Sequence, residues 1–262
     1  MPFTPSHAIV ALPFVRTPLV PAGIAVGAMA PDLPLFVRGV GLGYGTLHDL
    51  RWIPATVAIA LVLLLVWRLL LRPAARTLAP RWLGSRLPEE WDRGIRGGLR
   101  ETFPGVRGVL WLLLALALGV VSHIVWDAFT HEGRVGSDLV PAVAEAWGPL
   151  PGYKWLQYGS GVVGVLVLLI AGVVWLSHRA EGTVRPAPFA VRLVWWVSLP
   201  IALVVAVVVG LVVHGPLDHE FTVQHLAYRT LPPACAVWAA GTLVLAVILQ
   251  VRAAGRVVPA DR

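Results

Sequence analysis

Residues 108–131 read GVLWLLLALALGVVSHIVWDAFTH, and this stretch indicates both the fold class and the place to look for chemistry. Residues 108–121 are apolar, and an α-helix crosses the hydrocarbon core of a bilayer in about 20 residues. The end of the same run carries His123, Asp127 and His131, three ionisable groups that lipid penalises. We therefore expect a transmembrane helix with a polar stripe near one end.

The composition of the whole chain is typical of a membrane protein. The 262 residues are 57% hydrophobic and only 13% charged, and the mean hydropathy is +0.76. These values lie outside the range of ordinary soluble domains. We predict an all-α, polytopic helical membrane protein with five to six transmembrane helices. The five clear spans are expected at 54–71, 108–130, 159–178, 193–213 and 232–251.

The sixth apolar stretch, 8–30, is interrupted by Pro13, Pro18 and Pro21 and by Arg16. Proline removes a backbone donor that lipid cannot replace. The pattern favours a broken or re-entrant helix, and a full span is the alternative.

The net charge of +7 is distributed as a membrane protein would distribute it. Segment 72–107 contains eight arginines, so the positive-inside rule places this loop in the cytoplasm. The remaining loops then alternate: 131–158 and 214–231 are external, and a second basic cluster and the C-terminus are cytoplasmic. A basic loop beside anionic lipid headgroups explains the charge better than nucleic-acid binding does. The cytoplasmic arginines outside the loop are Arg179, Arg185, Arg192, Arg252, Arg256 and Arg262.

The chain divides loosely within one membrane domain. Residues 1–178 form a membrane core with the candidate metal site and the Arg-rich loop 72–107, and residues 179–262 contain a C-terminal pair of transmembrane helices. The single cysteine, Cys235, excludes an internal disulfide. Oligomeric state is left open.

The polar stripe has the chemistry of a metal site. His123, Asp127 and His131 are spaced at i, i+4 and i+8, so they share one helix face. Two imidazoles and a carboxylate suit a borderline divalent cation such as zinc. The alternative is a His–Asp pair that ties helices together or lies hydrogen-bonded in a wet cavity.

Further candidate ligands precede this helix. Asp32 lies in APDLP, where the prolines hold it in an extended turn suited to presenting a ligand. His48 and Asp49 lie in a short external connection, and His7 lies near the N-terminus. Each has an ordinary alternative: Asp32 as a turn former or helix cap, His48 as a surface residue and His7 as an interfacial side chain. Their joint occurrence favours a shared site, which His7 reaches only if 8–30 is re-entrant.

A second polar group occurs in HGPLDHEFTVQH, residues 214–225. This group either supplements the site or forms a hydrated loop with helix caps, and we favour the loop. Its ionisable members are His214, Asp218, His219, Glu220 and His225.

Four motifs carry a family resemblance: MPFTPSHAIVALP, GAMAPDLPLF, SHIVWDAFTHEG and LPGYKWLQYGSG. In order and approximate spacing they resemble the bacterial membrane-protein family called domain of unknown function 4184, over residues 1–175. More distantly, the series is similar to inner-membrane metal-dependent hydrolases, and the His-x-x-x-Asp helix to zinc-dependent phospholipases C. The hydrolases usually show His-Arg and Thr-His-Ser near the middle histidine, where this chain has Thr46-Leu47-His48-Asp49. The resemblance implies one or more metals held by His7, Asp32, His48, His123 and Asp127.

The predicted function follows from this site. We expect a metal-dependent hydrolase in the bacterial inner membrane that acts near the external headgroup region on phosphodiester or ester bonds of lipids, with Asp127 or Asp49 as the base. The alternative is a non-enzymatic protein with a structural or ion- or proton-handling cluster. A relay would need polar groups across the membrane, and the cytoplasmic halves of the spans have almost none. Phosphate-binding glycine loops, a nucleophile elbow and CxxC pairs are absent from the sequence, which disfavours nucleotide and redox chemistry.

Overall fold

The architecture was obtained as a computed structural model that describes residues 4–39 and 41–255. Arg256 and Arg262 of the basic C-terminus lie outside the described residues. The α-helices are α1 (Pro21–Met29), α2 (Leu33–Phe36), α3 (Tyr44–Leu47), α4 (Ile53–Val66), α5 (Arg72–Leu78), α6 (Arg81–Gly84), α7 (Gly94–Thr102), α8 (Val106–Thr130), α9 (Val135–Leu139), α10 (Pro141–Ala144), α11 (Gly152–Ser177), α12 (Phe189–His214) and α13 (Val223–Gly255). Short 3-10 helices cover Thr4–Phe14, Ala30–Asp32, Leu50–Trp52 and Glu89–Asp92, and a π-helix covers Trp67–Leu71. Strands β1 (Ala146–Trp147) and β2 (Leu150–Pro151) form a small antiparallel hairpin.

The predicted helical membrane fold is confirmed. Among the described residues, five helices are long and apolar enough to cross a membrane, and each coincides with one predicted span to within one residue at its ends or extends beyond it. The helices extend past the apolar runs because polar residues can continue a helix into the interface. The chain is thus a multi-pass membrane protein with helical spans at Leu50–Leu78, Val106–Thr130, Gly152–Ser177, Phe189–His214 and Val223–Ala253.

The proline-rich segment 8–30 forms a hairpin of two short helices. A 3-10 helix runs from Thr4 to Phe14, and α1 follows after a turn. Nine residues of α-helix rise only about 14 Å, too little to cross a bilayer. The segment doubles back, since the Thr4 hydroxyl donates to the Asp32 carboxylate at 2.6 Å. The broken, re-entrant interpretation therefore describes this segment better than a full span.

One compact unit comprises residues 1–33, 42–65 and 100–178. Within it, α1 lies against α8 through glycines that permit very close backbone contact. A Cβ on Gly27 would lie 2.3 Å from the Leu116 carbonyl oxygen, and one on Gly119 would lie 2.2 Å from the Ile24 carbonyl oxygen. Small residues at such helix contacts are common in membrane proteins. This contact sets the distance between the end of α1 and the polar end of α8.

The second compact unit comprises residues 34–41, 66–99 and 179–262. In this unit α12 packs on α13, where the Trp238 indole donates to the Ser198 hydroxyl at 2.9 Å. Segment 66–99, which includes six of the eight arginines of loop 72–107, belongs to this unit. The backbone of segment 66–99 accepts hydrogen bonds from the C-terminal helix pair, including one from Gln250 Nε2 to the Leu69 carbonyl at 2.8 Å.

Candidate metal centre

The polar end of α8 lies inside the first unit and faces the residues predicted to join it. His123 and Asp127 are one helical turn apart and buried, with Nε2 and Oδ2 3.5 Å apart. His131 follows the last residue of α8 in an extended conformation, so the predicted i+8 position lies just beyond the helix. Its Nδ1 still lies 3.6 Å from Asp127 Oδ2.

Four residues form a compact group of possible ligands. One ligand atom each from Asp32, His48, His123 and Asp127 can be chosen so that all lie within 4.8 Å of one another, and all four residues are buried. The individual separations are 3.1 Å for His48–His123, 3.5 Å for Asp127 to each histidine, and 3.7 and 3.9 Å for Asp32 to His123 and His48. Ligands around one tetrahedral zinc ion lie about 3.4 Å apart. The donor set therefore fits a single divalent cation.

The hydrogen bonds of His48 and His123 show which ring nitrogens face the centre of the group. His48 Nδ1 lies 2.8 Å from the Tyr44 carbonyl oxygen, and His123 Nδ1 lies 2.7 Å from the Ala28 carbonyl oxygen. A carbonyl only accepts, so both Nδ1 atoms carry protons. The two Nε2 lone pairs of the neutral rings then face each other at 3.1 Å. Such an approach is unfavourable unless a cation or a shared proton lies between the rings.

The two carboxylates are also oriented by neighbouring hydroxyl groups. Thr4 donates to Asp32 Oδ2, which leaves Oδ1 facing the two histidines. The Tyr44 hydroxyl lies 3.3 Å from Asp127 Oδ2. Burial and the negative charge of Asp127 raise the pKa of Tyr44, so its hydroxyl stays protonated and donates. Supporting donors of this kind fix ligand geometry in metal sites.

His7 lies beside the group because the hairpin returns it there. Its Nε2 is 3.7 Å from Asp127 Oδ1, and its ring stacks on His123 with a centroid distance of 4.1 Å. Both His7 Nε2 and Asp127 Oδ1 are buried and lack a hydrogen-bond partner among the described residues. Burial, more than the neighbouring histidines, lowers the pKa of His7 to about 3. Its neutral ring therefore offers an additional lone pair next to the four-residue group.

His131 is engaged by a network that the sequence did not reveal. Lys154 Nζ donates to Gln157 Oε1 at 3.1 Å, and Gln157 Nε2 lies 2.9 Å from His131 Nε2. Because an ammonium group only donates, it turns the amide oxygen toward itself and the amide NH2 toward His131. His131 then accepts at Nε2 and carries its proton on Nδ1, close to the Asp127 backbone oxygen at 3.2 Å. In this arrangement His131 Nδ1–H donates to the Asp127 backbone oxygen, and His131 lies beside the four-residue group and is not one of its members.

Two other predicted positions lie apart from this cluster. Asp49, the candidate base, caps the 3-10 helix Leu50–Trp52 by accepting from the Arg51 amide at 2.9 Å. The second polar group is exposed in the other unit, where Asp218 Oδ1 accepts from the amides of Glu220 and Phe221. That pattern is the hydrated loop with local caps. All five of its ionisable residues are exposed: His214, Asp218, His219, Glu220 and His225.

Sequence reasoning missed Thr4, Tyr44, Gln157 and Lys154. Gln157 could have been noticed in the sequence, because an uncharged amide near the start of an apolar helix is costly unless it is hydrogen-bonded. Thr4 and Tyr44 left none, since a hydroxyl in a short loop or helix is common.

The comparisons with known proteins agree with the motif resemblance. The family described as "Domain of unknown function (DUF4184)" matches residues 1–251, and the chain belongs to this family. No curated protein and no solved structure matches the chain.

Proposed function

We propose that this membrane protein is a metal-dependent hydrolase whose centre is the group formed by Asp32, His48, His123 and Asp127. The observation that carries the proposal is the convergence of two Nε2 lone pairs at 3.1 Å between two carboxylates. Metal-ligating histidines typically donate their other N–H to a carbonyl or carboxylate, as both rings do here. Mixed nitrogen and oxygen ligands suit zinc.

The residues of the centre have separable roles in a hydrolytic reaction. A divalent cation held there would supply Lewis-acid chemistry, polarising a phosphoryl or acyl oxygen and activating water. Tyr44 donates to Asp127 and holds that carboxylate in place. Asp127 remains the candidate base inside the group, and His7 Nε2, 3.7 Å from Asp127 Oδ1, can orient the attacking water. Burial of the four ligands excludes bulk water and strengthens each electrostatic contact.

The location of the centre favours a lipid substrate. The ligands lie near one end of the span Val106–Thr130, a depth consistent with headgroups. The resemblance to inner-membrane metal-dependent hydrolases and to zinc-dependent phospholipases C supports hydrolysis of phosphodiester or ester bonds. We place the protein in a bacterial inner membrane with loop 72–107 and the C-terminus in the cytoplasm and the centre on the external side.

The orientation is tested by cysteine labelling. Cys235 is the single cysteine, so Cys235→Ser provides a background for Glu90→Cys and Glu145→Cys, which replace exposed glutamates. An impermeant maleimide added outside intact cells should label position 145 and not position 90. The reverse pattern would invert the topology.

A non-enzymatic role is the second candidate, and the same contact supports it. A proton shared between His48 and His123, balanced by Asp127, would also relieve the facing lone pairs. The cluster would then handle protons or tie helices together without a metal.

Metal analysis separates the two candidates. The purified parent should contain about one equivalent of divalent metal, and His123→Ala and Asp127→Asn should lose both the metal and hydrolysis of phosphodiester and ester test substrates. Asp49→Asn is the matched control, because Asp49 caps an adjacent helix outside the four-residue group and should retain the metal. If Asp49→Asn keeps the metal and loses turnover, Asp49 is the base. A parent that binds no divalent metal, with both ligand variants strongly destabilised, would leave only the packing role.

A further inference from the structure

Lys154 is the only lysine in a chain with 21 basic residues, and it lies beside the candidate metal centre. It is half-buried at the third position of α11. Through Gln157 and His131 its ammonium group is connected to Asp127. A cation near a helix N-terminus opposes the helix dipole, so helix stability does not explain this lysine.

A second cation, Arg134, follows His131 by three residues in the chain. It is half-buried and is the residue that caps the N-terminus of α9. Within the described ranges, neither Lys154 nor Arg134 has a carboxylate oxygen within 4.0 Å. By comparison, Arg86 of the other unit pairs with Glu181 at 2.8 Å. Two half-buried cations without ion pairs therefore lie in the two segments that carry His131 and its hydrogen-bond partner Gln157.

The charges of the site favour an anionic ligand. A divalent cation would be balanced by Asp32 and Asp127, so the charges of Lys154 and Arg134 would remain uncompensated. A neutral ester would leave them unpaired, whereas the anionic oxygen of a phosphodiester would accept from them.

We propose that Lys154 and Arg134 form the anion-binding side of the centre and select a phosphodiester monoanion over a neutral carboxyl ester. This inference rests on the proposed hydrolytic function and names its substrate class. In the reaction, the oxygen of water forms the new bond to phosphorus, the bond from phosphorus to the leaving alcohol breaks, and the alcohol leaves with a proton that water has lost. Lys154 and Arg134 bind the non-bridging oxygens and take no part in bond making.

The first test compares two substrates that release the same product. Bis(4-nitrophenyl) phosphate is anionic and 4-nitrophenyl acetate is neutral, and both liberate 4-nitrophenol. Lys154→Gln and Arg134→Gln should each raise KM for the phosphodiester about tenfold or more, the usual effect of losing a charged hydrogen bond. KM for the acetate and the metal content should stay unchanged, and Lys154→Arg should restore most of the affinity. The matched control is Arg107→Gln, which removes an exposed arginine at the start of α8.

The second test does not depend on turnover. Since Lys154 is the single lysine, an amine-selective acylating reagent can modify only Lys154 and the N-terminal amine. Dimethyl phosphate, an anion, should slow acylation of Lys154 in the metal-loaded protein, whereas the neutral trimethyl phosphate should not. Peptide mass spectrometry measures the modified fraction.

The outcomes separate the two proposals. Loss of metal from Lys154→Gln, or equal effects on both substrates, would mean that Lys154 only supports the architecture through Gln157, and this inference would be overturned. A parent that binds metal and hydrolyses neither substrate would overturn the proposed function, and protection by dimethyl phosphate would still support anion binding. Equal protection of Lys154 by both phosphates, or protection by neither, would overturn the proposal that Lys154 binds an anion.

Discussion

Two buried polar clusters of this protein differ in how completely their hydrogen bonds are made. In the second unit, the Arg76 side chain is 2% exposed, and each of its nitrogens has an acceptor. Nε donates to the Leu87 carbonyl, and the other two nitrogens donate to Asp92 and to the Thr183 carbonyl. In the first unit, His48 and His123 point lone pairs at each other, and His7 Nε2 and Asp127 Oδ1 have no partner in the described part of the chain.

The difference separates a structural cluster from a binding cluster. Buried polar groups are normally satisfied, and a group that is not calls for a ligand, a proton or an ion to complete it. Arg76 and its acceptors are complete, so they hold residues 76–92 and 183 together and need nothing further. The His/Asp cluster presents converging acceptors, which is the arrangement that a cation completes.

The largest expected effect on bound metal comes from breaking the α1–α8 contact beneath the His/Asp cluster. In Gly119→Ala the new Cβ would lie 2.2 Å from the Ile24 carbonyl oxygen, so α1 must move and the Ala28–His123 hydrogen bond is lost. We expect complete loss of bound metal and a decrease in unfolding free energy of about 1–3 kcal/mol. Metal analysis and denaturant titration in detergent measure these changes. Gly172→Ala is the control, because nothing lies within 4 Å of its added Cβ, and full metal in Gly119→Ala would contradict the prediction.

The second prediction concerns the stability that the Arg76 cluster provides, since every nitrogen of Arg76 has an acceptor. Arg76→Met removes every donor from Leu87, Asp92 and Thr183, and we expect the unfolding free energy to fall by roughly 2–4 kcal/mol. The metal content of the folded fraction should not change. Arg86→Met, which removes a more exposed ion pair, should cost less than about 1 kcal/mol. A loss of metal from Arg76→Met would erase the distinction between the two clusters.

A comparable effect should follow from adding and removing the ion. At a free zinc concentration one hundred times Kd, a ligand that binds only the folded state adds about 2.7 kcal/mol of stability. We expect this increment in the parent and in Arg76→Met, and none in His123→Ala. A chelator should remove it. An equal increment in His123→Ala would mean that zinc binds elsewhere.

The smallest effect concerns a supporting hydrogen bond. Tyr44→Phe removes the donor to Asp127 Oδ2, and we expect metal affinity or turnover to fall about three- to tenfold, corresponding to about 1 kcal/mol. Competition with a chromophoric chelator measures the affinity. Tyr158→Phe is a matched control, since no hydrogen bond of its hydroxyl occurs among the described side chains. If both variants behave alike, Tyr44 does not orient Asp127.

Much of the fold and of the ligand set could be predicted from local sequence patterns. Hydropathy alone predicted the five spans, because a sufficiently long apolar segment satisfies its backbone hydrogen bonds in a bilayer by forming a helix. The spacing of His123 and Asp127 placed them on one face, since helical periodicity is a local property. The joint occurrence of polar residues in the connecting segments, together with the motif resemblance, added Asp32 and His48, and the structure brings both to the same group.

The tertiary structure alone decided how the ligands are presented. His48 and His123 are 75 residues apart, and the carbonyl that orients His123 is 95 residues away, so no local pattern reports either contact. His7 reaches Asp127 only because the hairpin returns, and Asp49 caps a helix although it is next to His48. Sequence determines which groups are costly in lipid; the packing of α1 against α8 determines which lone pairs remain to bind an ion.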